Sequence, residues 1–386
     1  LDDVQKSGSV WIYAANSRAQ SSSFTAASGS IRDLVNTQKI SKFTTVMHGG
    51  FDGLDITEKD PFRNTYLDDT AGPAGGTTEE TNYAVHSIQK AMDSIKDPEE
   101  VEYNLASMPG ITVPTLTDDL IDVCEDRGDA LAVIDIQHDY RALHEGTVAG
   151  GYPILPSVKE AVNTMKTRST NSSYGAAFFP FVQIRDQRTN QLVWAPPSVA
   201  ALGVMGSSAA KSEVWFAPAG FNRGGLSKGA AGIPVVNVRS RLTARDRDDL
   251  YDVRVNPIAS FPSEGIVIFG QKTLQLKKSA LDRINVRRLL IFLKKEVSFF
   301  ANQVLFDPNV QVTWNRFLGL VDPFLRDVKT RFGLTDYKIV LDETTTTPDL
   351  IDRNILYAKI FLKPARAIEF IALDFIITRS GAAFED

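Results

Sequence analysis

The stretch from about residue 279 to 305 constrains this chain more than any other. Val286, Leu290, Leu293, Val297, Phe300 and Val304 recur at spacings of three and four, which draws one apolar stripe along a long helix. Leu289, Phe292 and Phe299 fall off that stripe, so more than one face is apolar. A helix of this kind belongs inside a core or between subunits. A second helix is expected from about 314 to 332, broken or kinked at Pro323, because proline lacks the N–H that an interior helical position needs. After it the chain turns to strand. Segments 337–341, 355–362 and 368–377 cluster or alternate β-branched residues, and Lys363, Pro364, Ala365 and Arg366 join the last two. Such strands hold out unpaired backbone groups, to be satisfied by an internal sheet or by a neighbouring subunit. Composition leaves both open.

Upstream, the pattern alternates between the two periods. Strands are expected at 10–14, 43–47, 103–106, 130–136, 174–182 and 266–269. Helices are expected after Thr77 and Thr78 as N-caps with Glu79 and Glu80 in the first turn, across 116–125, from Pro156 to Met165, and briefly after Ala195-Pro196-Pro197. Alternation of this kind indicates an α/β region with a largely parallel sheet. The fold class read from the whole chain is therefore α/β (mixed α+β), with an α/β part followed by an α+β part that ends in β-strands. The divisions fall at 1–42, 43–245 and 246–386.

The bulk chemistry excludes several classes. With 386 residues, 43% hydrophobic and 23% charged, the chain has the makeup of a soluble globular protein. A net charge of -5 opposes a dedicated nucleic-acid binder. The one cysteine, Cys124, forms no internal disulfide and sits on the apolar side of a helix, where a buried inert thiol is expected. No apolar run reaches the ~20 residues that span a bilayer, and residues 1–10 lack a signal-peptide core, so no membrane partner is expected. Leu1 is not a start methionine, so a processed or partial N-terminus is expected.

Chemistry is sparse. No nucleophile elbow, phosphate-binding loop or dinucleotide fingerprint is present. Gly72-Pro73-Ala74-Gly75-Gly76 is either a linker or an anion cradle at a helix start. His138, Asp139 and His144 follow the strand ending at Ile136, where α/β folds place their ligands, so an enzyme site there is the alternative reading. Ordinary solvated loop residues explain them equally. Lys272, Lys277, Lys278, Arg283, Arg287, Arg288, Lys294 and Lys295 stand against only Asp282 and Glu296, and this basic excess is expected to face an acidic protein partner or solvent. No catalytic residue, cofactor or metal is assigned.

Several short motifs, in order, carry a resemblance. His48-Gly49-Gly50-Phe51-Asp52-Gly53, Tyr174 to Pro180, Ala195-Pro196-Pro197-Ser198 and Ala217-Pro218-Ala219-Gly220 come first. They are followed by Asn256-Pro257-Ile258, Phe269-Gly270-Gln271-Lys272-Thr273-Leu274, Ile284-Asn285-Val286-Arg287-Arg288-Leu289 and Phe306-Asp307-Pro308-Asn309. The closing Pro364 to Phe370 completes the series. Together they resemble the contractile tail sheath proteins, over roughly residues 43–378. Phe269 stands where that family often has tryptophan, Phe178 and Phe179 where it has two tyrosines, and Ala365 to Ala367 where a second proline is common.

The resemblance implies a structural subunit rather than an enzyme. It would stack with itself as hexameric rings in a helical tube around a tail tube, and shorten to drive that tube through a bacterial envelope. It also implies a virion location, assembly in the host cytoplasm, and baseplate and tail-terminator partners, with no nucleic acid contacted directly. Strand exchange between copies would engage Tyr357, Ile360, Leu362, Ile368, Phe370, Ile371, Phe375 and Ile377. Arg326, Lys329 and Arg331 would face the tube through breakable ion pairs. Residues 246–386 would form the inner part, and an N-terminal arm would complete the strand mesh. A baseplate or capsid protein forming closed rings is the remaining structural alternative.

Overall fold

The computed structural model describes residues 4–7, 10–13, 62, 64–67, 82–140 and 157–369. The chain is mixed α and β, and its contacts divide it into two units: residues 1–94 with 141–153, and residues 95–140 with 154–386. In the first, β1 (Val4–Ser7) pairs antiparallel with β2 (Val10–Tyr13), placing Val4 opposite Tyr13. Helices α1 (Asn64–Leu67) and α2 (Tyr83–Asp93) follow. The cap of α2 is Asn82, whose side-chain oxygen accepts the Ala84 N–H at 2.9 Å. The helix thus starts later than Thr77 and Thr78 imply, and those two residues lie outside the described part. So do the strand at 43–47, the turn at 48–53, the loop at 71–76 and His144.

The second unit is built on a five-stranded sheet. Its strands are β3 (Leu105–Ser107), β4 (Leu131–Ile134), β5 (Gly175–Phe179), β9 (Val255–Phe261) and β10 (Gly265–Ile268), in the order β10-β9-β5-β4-β3. The first four run parallel, and β10 returns antiparallel along β9. Both faces of β4 and β5 are buried, which explains why they read as continuous apolar runs. Leu131, Val133, Ala176 and Phe178 turn toward α5 (Pro197–Lys211), whose Ala200, Ala201, Val204 and Met205 complete that core. On the other face, α3 (Pro114–Arg127) brings Ile121 against Gly175, where an added Cβ would stand 2.9 Å from both Ile121 Cδ1 and Leu274 Cδ1. A larger residue there would push both side chains aside. Helix α4 (Val158–Thr167) starts at a Ser157 cap.

The chain then makes a second, antiparallel sheet from β6 (Val182–Arg185), β7 (Leu192–Ala195) and β8 (Val235–Val238), ordered β7-β6-β8. The single strand expected across 174–182 is thus two strands in two sheets, divided at Pro180, which follows a cis peptide bond. A short turn, α6 (Gly220–Arg223), follows the loop that carries Trp215. Helix α7 (Ala244–Asp252) carries a Thr243–Asp246 capping box and leads directly into β9. The central sheet therefore takes strands from both sides of the 245/246 boundary read in the sequence.

The last third is a helical hairpin covered by a ribbon. Helix α8 (Ile284–Asn302) and α9 (Gln311–Thr330) pack Leu289 and Leu293 against Trp314, Phe317, Val321, Leu325 and Val328. The helix expected from 279 begins at Ile284 instead. Its approach is held in a bridge between Lys272 and Arg283, and Ile284 donates its N–H to Gln271 O at 2.8 Å. Tertiary pairing there overrides local helical preference. Helix α9 runs unbroken through Pro323, because Phe317 and Val321 before it, and Leu325 and Val328 after it, are anchored in one apolar cluster. Strands β11 (Leu334–Val340) and β12 (Lys359–Pro364), with the short α10 (Pro348–Asp352) between them, pair antiparallel as a two-stranded ribbon.

Candidate assembly surface

The ribbon has two different faces. Along β12, residues alternate exposed and half-buried, so Ile360 and Leu362 turn inward onto the α8–α9 cluster while Phe361 turns out. Its partner is β11, with Ile339 opposite Ile360 and Tyr337 opposite Leu362. The strand expected at 368–377 as the neighbour of 355–362 falls almost wholly outside the described part, because residues 370–386 do, and with them Phe370, Ile371, Phe375 and Ile377. Among the described residues the ribbon has no third strand. The outer edges of a two-stranded ribbon are where a strand from another chain can add.

Large apolar side chains are exposed along the hairpin and its ribbon. Tyr357 is 47% exposed, Phe361 57%, Ile368 83% and Phe306 97%. Phe299, Leu305, Val310, Val312, Phe332 and Ile355 are exposed as well. Single exposed apolar residues need no explanation, whereas many drawn from one hairpin and its ribbon mark a surface meant to be covered. Phe306 also has a φ of 68°, the left-handed region that non-glycine residues avoid. It lies within the α8–α9 connection, at whose end Asn309 accepts the Trp314 indole N–H at 2.7 Å and Pro308 O accepts the Thr313 hydroxyl at 2.7 Å. The Phe306-Asp307-Pro308-Asn309 motif thus builds the start of α9 and leaves its phenylalanine outside.

The three cations expected to face a tube lie on the exposed side of α9 and are each paired within the subunit. Arg326 meets Asp322 at 2.7 Å, Lys329 meets Asp336 at 2.8 Å, and Arg331 meets Glu213 at 2.9 Å and Asp327 at 3.1 Å. Arg326 and Lys329 also line a groove of about 1080 Å³ between α9 and β11, together with Gly319, Pro323 and Phe332. Exposed pairs of this kind are screened and readily exchanged.

Part of the basic excess around α8 is enclosed within the chain, while Lys277, Lys278 and Lys294 stay exposed. Arg288 is buried and donates to Met205 O at 3.3 Å; burial lowers its pKa to about 10. Arg287 lies over the Tyr174 ring at 3.9 Å and donates to the Ser173 hydroxyl. Lys295 pairs with Glu102 at 2.6 Å. Two arginines in the first turns of a helix read as a charged face, yet the surrounding elements close over them.

The loop after β4 does not gather its histidine and aspartate into a site. His138 Nδ1 stands 3.5 Å from Glu160. The Asp139 carboxylate points inward and accepts the Phe181 N–H, and burial pushes its pKa up to about 7. Among the described residues, no group of three or more His, Cys, Asp and Glu is placed to hold a metal ion. Cys124 is buried, which pushes its thiol up to about 12.

Sequence reading missed the buried Asp135, the polar centre of the sheet. Its Oδ2 accepts the Ser198 hydroxyl at 2.7 Å and the Gly110 N–H at 2.9 Å, while Oδ1 accepts the Ser198 N–H at 3.0 Å. Burial pushes it up to about 6, against those three bonds. The Pro-Pro-Ser motif is the other half of this node: Pro196 and Pro197 set the start of α5, and Ser198 locks it to β4. Asn256 plays a similar part, donating to Ala177 O at 3.0 Å and Lys272 O at 2.8 Å. The motifs shared with the resembled family thus serve as joints between elements.

Comparison with known proteins agrees with this geometry. Residues 277–378 match the family model of the phage tail sheath C-terminal domain. The tail sheath protein of Vibrio phage KVP40 is 37% identical over 201 residues, 52% of this chain and 29% of that protein. That of Enterobacteria phage T4 is 28% identical over 327 residues, 81% of this chain and 48% of that protein. The chain therefore spans about half or less of the length of these relatives. In fold, it superposes on a chain of the anti-feeding prophage baseplate with a TM-score of 0.58 at 20% identity, covering 84% of this chain and 82% of the other. It matches a chain of an extracellular contractile injection system, the PVC sheath complex in its contracted state, with a TM-score of 0.58 at 21% identity, covering 85% and 82%.

Proposed function

We propose that this chain, which carries a phage tail sheath C-terminal domain and is related along most of its length to tail sheath proteins, is the structural subunit of a contractile tail sheath. The observation that carries the reading is the two-stranded ribbon β11–β12, bordered by exposed apolar residues, within the residues matched to that domain. Copies stack as hexameric rings in a helical tube around a tail tube. The energy of contraction is held in the assembly, so no catalytic step is needed. For the alternative of an enzyme at His138, Asp139 and His144, the described residues offer an Asp139 carboxylate turned inward onto the Phe181 N–H, and His144 lies outside them.

Within that reading, strands from neighbouring copies lie along the ribbon edges. Tyr357, Phe361 and Ile368 are the exposed apolar contacts, while Ile360 and Leu362 hold the ribbon to its own hairpin. Backbone bonds of this kind persist while whole subunits swing, which suits a hinge. Residues 246–386 supply the inner part of the tube wall, with Phe370, Ile371, Phe375 and Ile377 in the exchanged strand. Arg326, Lys329 and Arg331 face the tube, where their internal pairs swap for acidic partners and back again. Baseplate and tail-terminator proteins bound the stack at its ends, in a virion assembled in the host cytoplasm.

The test is negative-stain electron microscopy of the concentrated protein. Hollow tubes of regular helical repeat are expected. Closed rings alone would favour a non-contractile baseplate or capsid role. Monodisperse particles, with turnover of any substrate lost on His138→Ala, would return the enzyme reading.

A further inference from the structure

After β12 the chain takes a path that the ribbon itself does not require. The Ala365 N–H still donates to Gly333 O at 3.1 Å, residues 366–368 run exposed, and Glu369 then turns back into the body of the subunit. Its carboxylate is gripped by Arg283 at two points. Oε1 accepts Nε–H at 2.6 Å and Oε2 accepts Nη2–H at 2.9 Å, the fork geometry in which guanidinium holds carboxylate most firmly. Gln271 adds its Nε2–H at 3.3 Å. The two charged side chains are only 25% and 17% exposed, so water screens them weakly. Tyr251 lies in the same cluster; burial first, and then the negative charge of Glu369, push its phenol up.

Arg283 is itself fixed. Its backbone bridges to Lys272, and α8 begins at the next residue. Lys272 in turn donates its backbone N–H to the Asn256 side chain at 2.6 Å, and Asn256 belongs to β9 of the central sheet. A short covalent and hydrogen-bonded route therefore joins Glu369 to both the sheet and the long helix.

We propose that the Arg283–Glu369 pair fastens the C-terminal segment to the subunit body, so that pull from a neighbouring copy reaches the central sheet and α8 instead of the ribbon. The proposal rests on the reading that residues beyond 369 pair with another copy of this chain. A two-stranded ribbon is weak against pull from its end, because its bonds are lost one after another as β12 peels from β11. The forked pair must give up two charge-assisted bonds together before any pull reaches Ala365. Two segments remote in sequence, the approach to α8 at 282–284 and the stretch after β12 at 365–369, thereby form one mechanical joint.

The test uses the full chain with Glu369→Gln, and the exchanged pair Arg283→Glu with Glu369→Arg. Hydrogen exchange of the unassembled protein and the yield of sedimentable polymer are both read. Glu369→Gln is expected to speed exchange of the amides at 363–369 by about tenfold, the size expected for a lost bond to a charged group, with α8 amides unchanged. Polymer yield should fall, and the exchanged pair should recover part of both losses. Where Glu369→Gln does not fold, Arg283→Lys, which keeps the charge and loses the fork, gives the same comparison. Unchanged exchange at 363–369 overturns the fastening, and faster exchange with full polymer yield overturns its mechanical role. If the unaltered chain never polymerises while exchange responds as expected, the sheath reading has failed and the mechanical role with it, and only the fastening stands.

Discussion

Replacing Ser198 with alanine should destabilise the protein by an amount that depends on pH in a defined direction. The hydroxyl donates to a carboxylate that is fully buried, and the other bonds to Asp135 come from backbone N–H groups that the substitution leaves in place. An aspartate in the unfolded chain titrates near 3.8, whereas Asp135 in the folded protein titrates at about 6. Between those values the folded state holds the extra proton. This group's contribution to stability is therefore fullest below about 4, falls as pH rises toward 6, and is flat above about 7. Loss of the hydroxyl bond removes one of the influences that favour the ionised form, so the folded titration moves higher and the decline extends further.

Hydrogen bonds to a charged acceptor contribute about twice what neutral ones do. The expected cost is thus ~2–3 kcal/mol at pH 8, where the carboxylate is ionised, and ~1 kcal/mol at pH 5, where it is mostly protonated. Urea unfolding of both proteins at the two pH values measures the difference directly. An equal cost at both, or a larger one at pH 5, would refute the assignment of Asp135 as a buried acid stabilised by Ser198.

Three other outcomes are expected. Leu325→Ala, at a fully buried position between the helical hairpin and the ribbon, should lose about 3 kcal/mol in urea unfolding, mostly through the cavity it leaves. Phe306→Gly should leave the unfolding midpoint nearly unchanged, because relief of a positive φ offsets the added freedom of the unfolded chain, to within about 1 kcal/mol. If Phe306 is an assembly contact, the same variant should form less polymer by sedimentation. Arg326→Ala combined with Lys329→Ala should not shift the unfolding midpoint, since both pairs are exposed; its effect should appear only as weaker, less salt-sensitive co-sedimentation with purified tube protein.

Much of the fold was legible because its strands and helices obey local rules. The apolar runs at 130–136 and 174–179, and the stripe beginning at Val286, announce elements that are buried where the pattern requires. The failures have tertiary causes. The start of α8 is delayed because residues 271–273 pair with 282–284, a contact invisible in either segment alone. Helix α9 survives Pro323 because packing on both sides outweighs one lost hydrogen bond. Strands β6, β7 and β8 have only four residues each, too few for a period to declare itself. Of the candidate site, Tyr357 and Ile368 are found exposed, whereas Ile360 and Leu362 face inward, which simple alternation along β12 would have predicted once its partner was known. The grip of Arg283 on Glu369 spans most of the C-terminal part of the chain, and no spacing rule could have found it.

The pairing of β5 with β9 also sets an order in time. Ala177 lies opposite Val255, and two further strands of the second sheet, helix α5, β8 and α7 must be gathered before that ladder can close. Contacts so distant along the chain form late, whereas α8, α9 and the ribbon join close neighbours in sequence and can form early. A newly made chain therefore carries a formed ribbon while its central sheet is still incomplete. Where many copies are made together, premature contact between their unfinished sheets competes with folding itself, so the rate at which β9 finds β5 sets how much of the protein ever becomes usable.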